Sequence, residues 1–546
     1  MTKADSSKST LKEYKKSVRL ALHHRFHNTE AEKNIDRYQR ALHWIEKNTI
    51  DGHGIALTSE RDVIYPEVTG YYIPTLIRWG HRDLAKSYAK YLISIQKADG
   101  SWYDAYDKAP YVFDTGQILR GLVAIQPMLP EAEMAAVRGC EWLLSRMTEE
   151  GRLVTPSKDA WGEDRGFCDE HIHLYCLPPL IAAGERFHRE DFLQAAEKIK
   201  QYYIGHYRDR ILHFSMLSHF HAYVMEALID LGEHDLAEQA MKDIATYQKE
   251  DGSVPGRNDV SWICSTGLFQ LAIAWYKLGN LERGDRAFYY ACSLQNPSGG
   301  WYGSYSDRKG TRRLATCHSL RHLFGKHAPT YFQKEEISWA VKYFLDAIYY
   351  RNKCAFDTDD DSYKNVSLPQ IDPNDGRYQI IHEMVMKIRL GSVLDAGCGQ
   401  GRYLMHLEKD CPKLQYHGID ICGAALATIP SKTIKTQKGV LTNLPYPNDT
   451  FDLVYSCEAV EHAIDVPAAV REMIRVTRSG GCVIVIDKPA EKRGALEIAP
   501  WEQWLDDDEM KRIAEEEHCG FEVRKNIHYE DDWCPGLFHA WIYKKL

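Results

Sequence analysis

One acidic residue and three glycines within a short segment are the strongest chemical signal in this sequence. Asp395 closes a short apolar stretch, and Gly397, Gly399 and Gly401 follow it before a helix-like segment. Glycine permits tight turns and lets backbone N–H groups approach a ligand closely at the start of a helix. The pattern is typical of a strand–turn–helix unit that binds a nucleotide.

A second acid, Asp420, ends the next apolar segment, where its carboxylate is placed to accept hydrogen bonds from a ribose diol. Residues 450–456 and 481–487 are two further strand-like segments, with helical segments between them. Strands that alternate with helices indicate a parallel sheet with right-handed crossovers.

Five segments in this order resemble class I S-adenosylmethionine-dependent methyltransferases, in the broad group that includes small-molecule O-methyltransferases. The segments are Asp-Ala-Gly-Cys-Gly-Gln-Gly, Gly-Ile-Asp, Leu-Pro-Tyr-Pro-Asn-Asp-Thr-Phe-Asp-Leu-Val, Glu-Ala-Val-Glu-His and Val-Thr-Arg-Ser-Gly-Gly. The resemblance covers residues 378–546 and implies a Rossmann-like α/β domain with S-adenosylmethionine as cofactor. It implies that Asp395 and the three glycines hold the methionine end, that Asp420 holds the ribose, and that residues 521–529 and 537–543 form a closing pair of strands. A dinucleotide-binding oxidoreductase is the alternative.

The adenine side of the implied cofactor site departs from the family. The family commonly places an acid two residues after the third strand for the adenine amino group, but the chain has Val440 there, whose side chain accepts no hydrogen bond. Adenine recognition is therefore expected from the backbone or from Asn443. Ile421 and Leu441 are further cofactor-binding candidates.

The segment Glu458-Ala-Val-Glu-His462 follows a predicted strand at the edge where open α/β sheets bind ligands. His462 is the candidate general base, since the unperturbed pKa of histidine lies near neutrality. Glu458 and Glu461 are alternative bases or metal ligands, although Glu461 and His462 could simply cap the next helix. Trp501 and Trp504 are candidates for an acceptor wall beside the cofactor cleft, the alternative being a surface helix packed on the sheet.

Length and composition indicate a multidomain globular protein. The chain has 546 residues, 44% hydrophobic and 27% charged, with a net charge of −9. This charge argues against nonspecific nucleic-acid binding. The polar N-terminus and the absence of a long apolar run predict no secretion signal and no membrane span. The fourteen cysteines lack a framework spacing, which favours reduced thiols and a cytoplasmic location.

The first 350 residues repeat an amphipathic helix, a loop and a more apolar second helix. Three of the loops share a Gln-x-x-x-Gly pattern, at residues 96–102, 248–254 and 295–301. The second helices are predicted to open near Glu67, Phe113, Asp169, Ser218, Cys264 and Thr316. Glycines predicted to follow their ends are Gly80, Gly184, Gly232, Gly279 and Gly325. Six helix pairs predict an all-α (α/α)6 toroid with the second helices inside, and an open solenoid is the alternative.

The Gln-x-x-x-Gly-x-Trp loops are similar to the repeat of terpenoid cyclases and protein prenyltransferases, and similar toroids occur in glycoside hydrolases, polysaccharide lyases and uronyl epimerases. Loops that lead into the inner helices of such a ring would collect at one mouth. Aromatic rings, carboxylates and imidazoles suit a sugar there, although helix caps and core groups are the plain alternative. The candidate substrate-binding residues are Trp102, Asp104, Asp114, His171, His173, His221, Asp259 and Trp301, with Tyr65, Glu67, His219 and His318 beside them.

Two further patterns favour plain interpretations. In the pairs His171/His173 and His219/His221, residues two apart on a helix point in different directions, so no metal site is predicted. Residues 357–360 spell the Asp-x-Asp-Asp signature of class II terpene cyclases, but they lie in a polar run after the last predicted toroid helix. A solvated acidic linker is therefore preferred to a terpene cyclase–methyltransferase.

Together these patterns predict a toroid over residues 1–350, an acidic linker over 351–377 and a methyltransferase domain over 378–546. The predicted activity is methyl transfer from S-adenosylmethionine to a hydroxyl of a small molecule or glycan, such as a surface-polysaccharide precursor bound with help from the toroid. A bifunctional enzyme with a glycan lyase, hydrolase or epimerase in its toroid is one alternative. A toroid that acts only in binding or assembly is the other. The sequence leaves the acceptor and the oligomeric state open.

Overall fold

The computed structural model describes residues 29–156, 168–306, 330–357, 371–372, 374–528 and 535–546. The chain divides into two compact units: Arg37–Ala355, and Phe356–Leu546 together with residues 29–36. The helical unit is thus inserted within the second unit along the chain. The predicted domain boundaries stay predictions, since residues 358–370 of the predicted linker lie outside the described ranges.

The described residues up to 356 are mainly helical. Its α-helices are α1 (Glu30–Asn48), α2 (Pro66–Arg78), α3 (Arg82–Ile95), α4 (Val112–Ile125), α5 (Ala132–Ser145), α6 (Leu177–Phe187), α7 (Glu190–Leu212), α8 (Ser218–Asp230), α9 (His234–Tyr247), α10 (Ser265–Lys277), α11 (Leu281–Cys292) and α12 (Ser338–Phe356). Short strands pair between them: β1 (Thr49–Ile50), β2 (Gly54–Thr58) and β3 (Arg61–Ile64) in one sheet, β4 (Ile263–Cys264) and β5 (Ser304–Tyr305) in another.

Buried helices alternate with amphipathic ones. In α10 every residue from Ser265 to Tyr276 is buried, as expected of a helix that is apolar on all sides. The next helix, α11, buries Gly284, Ala287, Phe288 and Ala291, which share one face at helical spacing. The same contrast separates α2, α4 and α8 from α3 and α9.

The predicted starts of the second helices are confirmed for the segments near Glu67, Phe113, Ser218 and Cys264, where α2, α4, α8 and α10 begin. The segment after Asp169 forms a 3-10 turn that leads into α6, and Thr316 lies outside the described residues. Gly80, Gly232 and Gly279 follow helix ends in the left-handed conformation, as predicted. The prediction for Gly184 is wrong: it lies inside α6, which ends instead at His188 with φ 55°.

The Gln-x-x-x-Gly loops join the end of one amphipathic helix to the next amphipathic helix. Gln96 donates to the carbonyl of Ala135 on α5 (2.9 Å), and Gln248 donates to that of Arg283 on α11 (3.1 Å). Gln295 donates to the carbonyl of Arg37 on α1 (3.0 Å). The loop glycines lie against the same helices, so the motif connects neighbouring repeats.

Helix α12 contacts both the first and the fifth buried helix. The Tyr72 hydroxyl of α2 donates to the carbonyl of Ser338 (2.6 Å), and Thr75 donates to the carboxylate of Asp346 (2.8 Å). On its other side, the Phe344 ring lies 5.6 Å from the Phe269 ring of α10. α12 therefore packs between α2 and α10.

Alanine at a loop glycine is expected to destabilise the helical unit. A Cβ at Gly299, where φ is +97°, would lie 2.0 Å from the carbonyl oxygen of Arg40, so the backbone would have to move. At Gly279 φ is +75° and a Cβ would meet nothing within 4 Å, which leaves backbone strain alone. We expect Gly299→Ala to cost about 2 kcal/mol more than Gly279→Ala, measured by denaturant unfolding followed by circular dichroism. Equal effects would contradict the close approach.

The second unit is built on a seven-stranded mixed sheet. Its strands are β6 (Ser392–Ala396), β7 (Gln415–Asp420), β8 (Lys435–Lys438), β9 (Phe451–Cys457), β10 (Thr477–Asp487), β11 (Cys519–Ile527) and β12 (Phe538–Lys545). Its helices are α13 (Gly376–Val385), α14 (Arg402–Asp410), α15 (Gly423–Ala427), α16 (Val466–Val476) and α17 (Asp507–Glu516).

The strand order is β11-β12-β10-β9-β6-β7-β8, with β12 antiparallel to both of its neighbours. The strand order reverses between β6 and β9, and open α/β sheets bind ligands at such a switch point. Two apolar layers cover the sheet, one containing Leu404 and Ile486 and the other Val470 and Val485. The predicted parallel sheet and the closing strand pair near the C-terminus are confirmed.

Within the described ranges, no helix has the length and apolar character needed to cross a membrane. The cysteines of these ranges are free thiols.

Candidate cofactor and acceptor site

The glycine turn after β6 is held in a left-handed backbone conformation. Gly397, Gly399 and Gly401 have φ values of +89°, +50° and +70°. The N–H groups of Gly397 and Cys398 both donate to the carbonyl of Ile419 in β7, at 2.8 and 3.0 Å. A Cβ at Gly399 would meet nothing within 4 Å, so open space lies beside this part of the turn.

Asp420, at the end of β7, connects two turns. Its Oδ2 accepts the N–H of Gly399 (2.7 Å), and its Oδ1 accepts the N–H of Cys422 (2.9 Å). Each carboxylate oxygen can accept a second hydrogen bond. The half-buried Asp420 can therefore bind a diol while it holds both turns in place.

Asp395 lies beneath this turn and is buried. Burial, with a further contribution from the charge of Asp420, raises the pKa of Asp395 to about 8. Much of it is therefore protonated at neutral pH when no cation is near. An ammonium group beside this carboxyl would lower its pKa again and bind to it as an ion pair.

The chain after β8 forms a small turn next to the end of β7. Gly439 donates to the carbonyl of Asp420 (2.9 Å), and the N–H of Asn443 donates to that of Val440 (3.3 Å). Ile421, Val440 and Leu441 are half-buried. The cofactor candidates Ile421, Leu441 and Asn443 thus lie on two turns joined at the end of β7.

His462 lies in a 3-10 turn after β9, beside a buried ion pair. Its Nε2 is 3.7 Å from Oε1 of Glu461, whose carboxylate is paired with the ammonium of Lys488. The buried Nδ1 of His462 has no hydrogen-bond partner in the structure. Burial lowers the pKa of His462 below its usual value; Glu502 and Glu458 raise it, and Lys488 lowers it further. The imidazole is therefore neutral around pH 7.

Glu461 is buried behind His462. Its N–H donates to the carboxylate of Asp487 (3.0 Å), and burial raises the pKa of both acids. Lys488 pairs with its carboxylate, so Glu461 is the charge partner of a buried lysine. The base or metal-ligand role of Glu461 stays a prediction.

Glu458 also has a charge partner, and its predicted role as a base stays a prediction. It follows β9 with φ +53°, a conformation unusual for a residue with a side chain. Its carboxylate accepts a hydrogen bond from Arg377 (2.6 Å), and Arg377 also forms two bonds to Asp375. Tyr403 donates to the same Asp375 (2.7 Å). Glu458 is thus the charge partner of a buried arginine.

Only one of the two predicted wall tryptophans has an accessible ring. Trp501 is 53% exposed, whereas Trp504 is buried in the apolar layer with Ile486 and Phe538. The acceptor-wall prediction is therefore wrong for Trp504, whose burial makes it part of the core. Trp501 stays a candidate.

The two tryptophans predicted to bind substrate in the helical unit are core residues. Trp102 and Trp301 are fully buried, and their indole N–H groups donate to the carbonyls of Leu92 (2.7 Å) and Ala291 (2.9 Å). Each ring fixes its loop to the helix before it. The substrate role predicted for both is wrong, because no face of either ring is accessible.

The polar candidates of the helical unit have separate surroundings. Asp104 accepts the N–H groups of Tyr106 and Lys108, so it closes a surface turn. Asp259 pairs with Arg257 (2.5 Å), and His173 contacts the hydroxyl of Tyr203 (3.0 Å). These contacts explain the three residues without a ligand.

His171 and His221 differ, since both are fully buried and none of their ring nitrogens has a hydrogen-bond partner in the structure. Burial lowers the pKa of His171 to about 4 and that of His221 to about 3. Both imidazoles are therefore neutral. His318 lies outside the described residues.

Glu67 and Asp114 lie in the first turns of the adjacent buried helices α2 and α4. Both are buried. Burial and then the charge of Asp114 raise the pKa of Glu67 well above its usual range, while Lys342 lowers it. Glu67 is therefore a buried carboxyl group with a raised pKa, next to a second carboxyl group.

Four residues at the site of the second unit were not predicted: Phe356, Asp357, Asp375 and Arg377. The Phe356 ring lies 5.3 Å from that of His462, and Asp357 accepts the N–H of Gly423 (3.2 Å). The solvated-linker prediction is thus wrong for Asp357, while residues 358–361 lie outside the described ranges. All four precede the predicted methyltransferase domain in the chain. Their contacts with its residues are visible in the structure but have no signal in the sequence.

The chain is similar to known methyltransferases over its C-terminal part. The family described as "Methyltransferase domain" matches residues 394–485. Ajmaline N-methyltransferase of Rauvolfia serpentina is 34% identical over 103 residues, 17% of this chain and 35% of that protein. Malonyl-[acyl-carrier protein] O-methyltransferase of Halorhodospira halophila is 28% identical over 171 residues, 30% of this chain and 57% of that protein. The chain thus spans about a third to about three fifths of these relatives.

The glycine turn, the doubly wound sheet and the family match agree. The C-terminal region of this chain contains a class I S-adenosylmethionine-dependent methyltransferase domain. Another relative, the uncharacterized protein YafE of Escherichia coli, is 36% identical over 134 residues, 24% of this chain and 65% of that protein.

Proposed function

We propose that this protein transfers the methyl group of S-adenosylmethionine to a hydroxyl or amine of an acceptor bound beside His462. The observation that carries the proposal is the glycine turn, with open space at Gly399 and with Asp420 bonded to its N–H. A cofactor with an ammonium group and a ribose fits these residues. The buried carboxyl of Asp395 precedes the glycine turn, and the carboxylate of Asp420 is bonded to the N–H of Gly399. Bound S-adenosylmethionine supplies an electrophilic methyl group on its sulfonium.

Asp395 binds the ammonium of the methionine moiety, and Asp420 binds the ribose hydroxyls. His462 removes the proton of the acceptor, since its imidazole is neutral around pH 7. Little more is needed than an acceptor held in line with the methyl group.

Binding of S-adenosylhomocysteine is expected to release close to one proton at pH 7. Free Asp395, with a pKa of about 8, is mostly protonated there, and the ligand's ammonium drives it to the ionised form. Affinity therefore rises with pH up to about 8 and falls below it. Calorimetry in phosphate and in Tris measures the released proton from the difference in binding enthalpy.

Adenosine, which lacks the ammonium, is the matched ligand and should release none. Asp395→Asn should remove the release with S-adenosylhomocysteine. Proton release that persists in this variant would assign it to another group, and failure of the unaltered protein to bind S-adenosylhomocysteine would contradict the proposed activity.

We also propose that the helical unit closes into an (α/α)6 toroid. Two contacts support this: the loop after α11 bonds back to α1 through Gln295, and α12 packs between α10 and α2. The alternation of buried and amphipathic helices gives six pairs, from α1/α2 to α11/α12. An open solenoid would leave its first and last repeats without mutual contacts.

A carbohydrate acceptor has weaker support. The prediction of a sugar depended on accessible aromatic rings at the loop ends. Trp102 and Trp301 are buried, so neither ring can stack on a sugar. The relatives are named for ajmaline and for malonyl-[acyl-carrier protein], so their names do not favour a sugar. A screen of hydroxyl, amine and carboxyl acceptors, with S-adenosylhomocysteine formation as readout, tests the acceptor class.

A second activity in the helical unit is favoured by Glu67. A buried carboxyl group with a raised pKa beside a second carboxyl group is an arrangement used in general acid–base catalysis, as in the predicted glycan hydrolase, lyase or epimerase. Such an activity would survive His462→Gln and be lost in Glu67→Gln. Methyl transfer would show the opposite pattern. A purely binding role would give no turnover in either assay.

A further inference from the structure

Two consecutive residues, Phe356 and Asp357, contact the proposed methyl-transfer site at two separate points. Phe356 is the last residue of α12, and both residues belong to the same compact unit as the sheet. Phe356 contacts His462, and Asp357 contacts the turn after β7. Since consecutive Cα atoms are about 3.8 Å apart, one peptide joins the acceptor side of the site to the cofactor side.

Phe356 supplies an apolar neighbour to the proposed base. Its ring centroid lies 5.3 Å from that of His462, with an angle of 50° between the two planes. The groups that act electrostatically on His462 are Glu458, Glu461, Lys488 and Glu502. The carboxylates favour the imidazolium, so the partial burial of the imidazole is what lowers its pKa. The Phe356 ring contributes to that burial.

Asp357 holds the turn that follows the proposed ribose-binding residue. Its Oδ1 accepts the N–H of Gly423 (3.2 Å), while Asp420 accepts the N–H of Cys422 (2.9 Å). Two acids from distant parts of the chain thus hold successive N–H groups of one turn. The other oxygen of Asp357 pairs with Lys438 at the end of β8. Asp357 therefore ties β7, β8 and the cofactor turn together.

We propose that Phe356 and Asp357 are positioning residues for methyl transfer: Asp357 fixes the turn that follows Asp420, and Phe356 covers one side of the imidazole of His462. The inference rests on the proposed function and extends it to residues outside the sheet domain. Neither residue touches the reacting atoms. Each acts through a neighbour, Asp420 for the nucleoside and His462 for the acceptor proton.

The role of Asp357 is tested in the full-length protein by calorimetry with S-adenosylhomocysteine. Asp357→Ala removes the acceptor of the Gly423 N–H and is expected to weaken binding about 3- to 10-fold. Asp357→Asn keeps an oxygen for that N–H and is expected to stay within about twofold of the unaltered protein. Glu515→Ala, which removes an exposed ion pair with Lys511 on α17, is the matched control and should change nothing.

Unchanged binding in Asp357→Ala would overturn the role of Asp357. Equal weakening in the Asn and Ala variants would also overturn it, because the ion pair with Lys438 and not the Gly423 bond would then matter. If the unaltered protein fails to bind S-adenosylhomocysteine, the proposed function fails instead. The two failures are therefore distinguishable.

The role of Phe356 is tested by NMR titration of the histidine rings in protein labelled with 13C-histidine. His462→Gln identifies the resonance of His462. We expect Phe356→Ala to raise the midpoint of His462 toward the ordinary value of about 6.5, and Phe356→Leu to leave it low, since leucine also excludes water. Should the Ala variant fail to fold, Phe356→Gln replaces the apolar ring beside His462 with a polar side chain that admits water. An unchanged midpoint in a folded Ala or Gln variant would overturn the proposal.

Discussion

Replacing His462 by glutamine is expected to lower the rate of methyl transfer by roughly 10²- to 10⁴-fold, the usual contribution of a general base. The neighbouring carboxylates of Glu461 and Glu458 are paired with Lys488 and Arg377, so the imidazole is the neutral base that the acceptor meets. Affinity for S-adenosylhomocysteine should stay unchanged, since His462 contacts the acceptor side of the site. The rate is measured as formation of S-adenosylhomocysteine with an acceptor from the screen.

The pH profile gives an independent check of the same residue. Only the neutral imidazole accepts a proton, so the rate rises with pH through the pKa of His462. Because burial lowers this pKa, the midpoint should lie below 6.5 and the rate should be constant around pH 7. His417→Gln is a matched control, since burial also lowers the pKa of His417, on β7. A His462→Gln variant with the normal rate and the normal pH profile would contradict the assignment of His462 as the base.

Replacing Asp420 by alanine is expected to weaken S-adenosylhomocysteine binding by roughly 10²- to 10³-fold. The change removes a charged acceptor for the ribose, with hydrogen bonds to charged groups contributing about 1.5–3 kcal/mol each, and also frees the N–H groups of Gly399 and Cys422. Calorimetry measures the loss directly.

Asp452→Ala is the matched control for Asp420→Ala. Asp452 also accepts a backbone N–H, from Ser392 (2.8 Å), and pairs with Arg478, but it lies near the start of β9 at the opposite edge of the sheet. Its loss should lower stability without changing affinity. Equal losses of affinity in both variants would indicate general loosening of the sheet and would remove Asp420 from the ribose role.

Local patterns were sufficient for the second unit and for most buried helices. The positions of the strands β6, β7, β9 and β10 and of the glycine turn follow from apolar segments, two of which end in Asp395 and Asp420, because the carboxyl ends of parallel strands share one edge. The starts of α2, α4, α8 and α10 follow from the repeat. In each case the signal lies within a few residues of the feature.

The misses depend on contacts between distant residues. A tryptophan after Gln-x-x-x-Gly looks the same in sequence whether its ring faces a ligand or, like Trp102, the core. In the sequence Asp357 is one of several adjacent acids and is expected to be solvated. Its contacts with Gly423 and Lys438 are visible only in the structure. Glu458 bonds to Arg377 from a backbone conformation with positive φ. A glutamate in the sequence gives no signal for that conformation.

The insertion of the helical unit within the other unit has a consequence for protein engineering. Residues 29–36 belong to the second unit, where Ala31 bonds to Pro500 and Glu32 pairs with Arg493. Deletion of every residue before the sheet would remove these contacts together with Phe356 and Asp357. The segment around Trp501 would then lose its contacts with the first turn of α1. A shortened protein that keeps the whole second unit therefore has to be made by excision of residues 37–355 rather than by truncation.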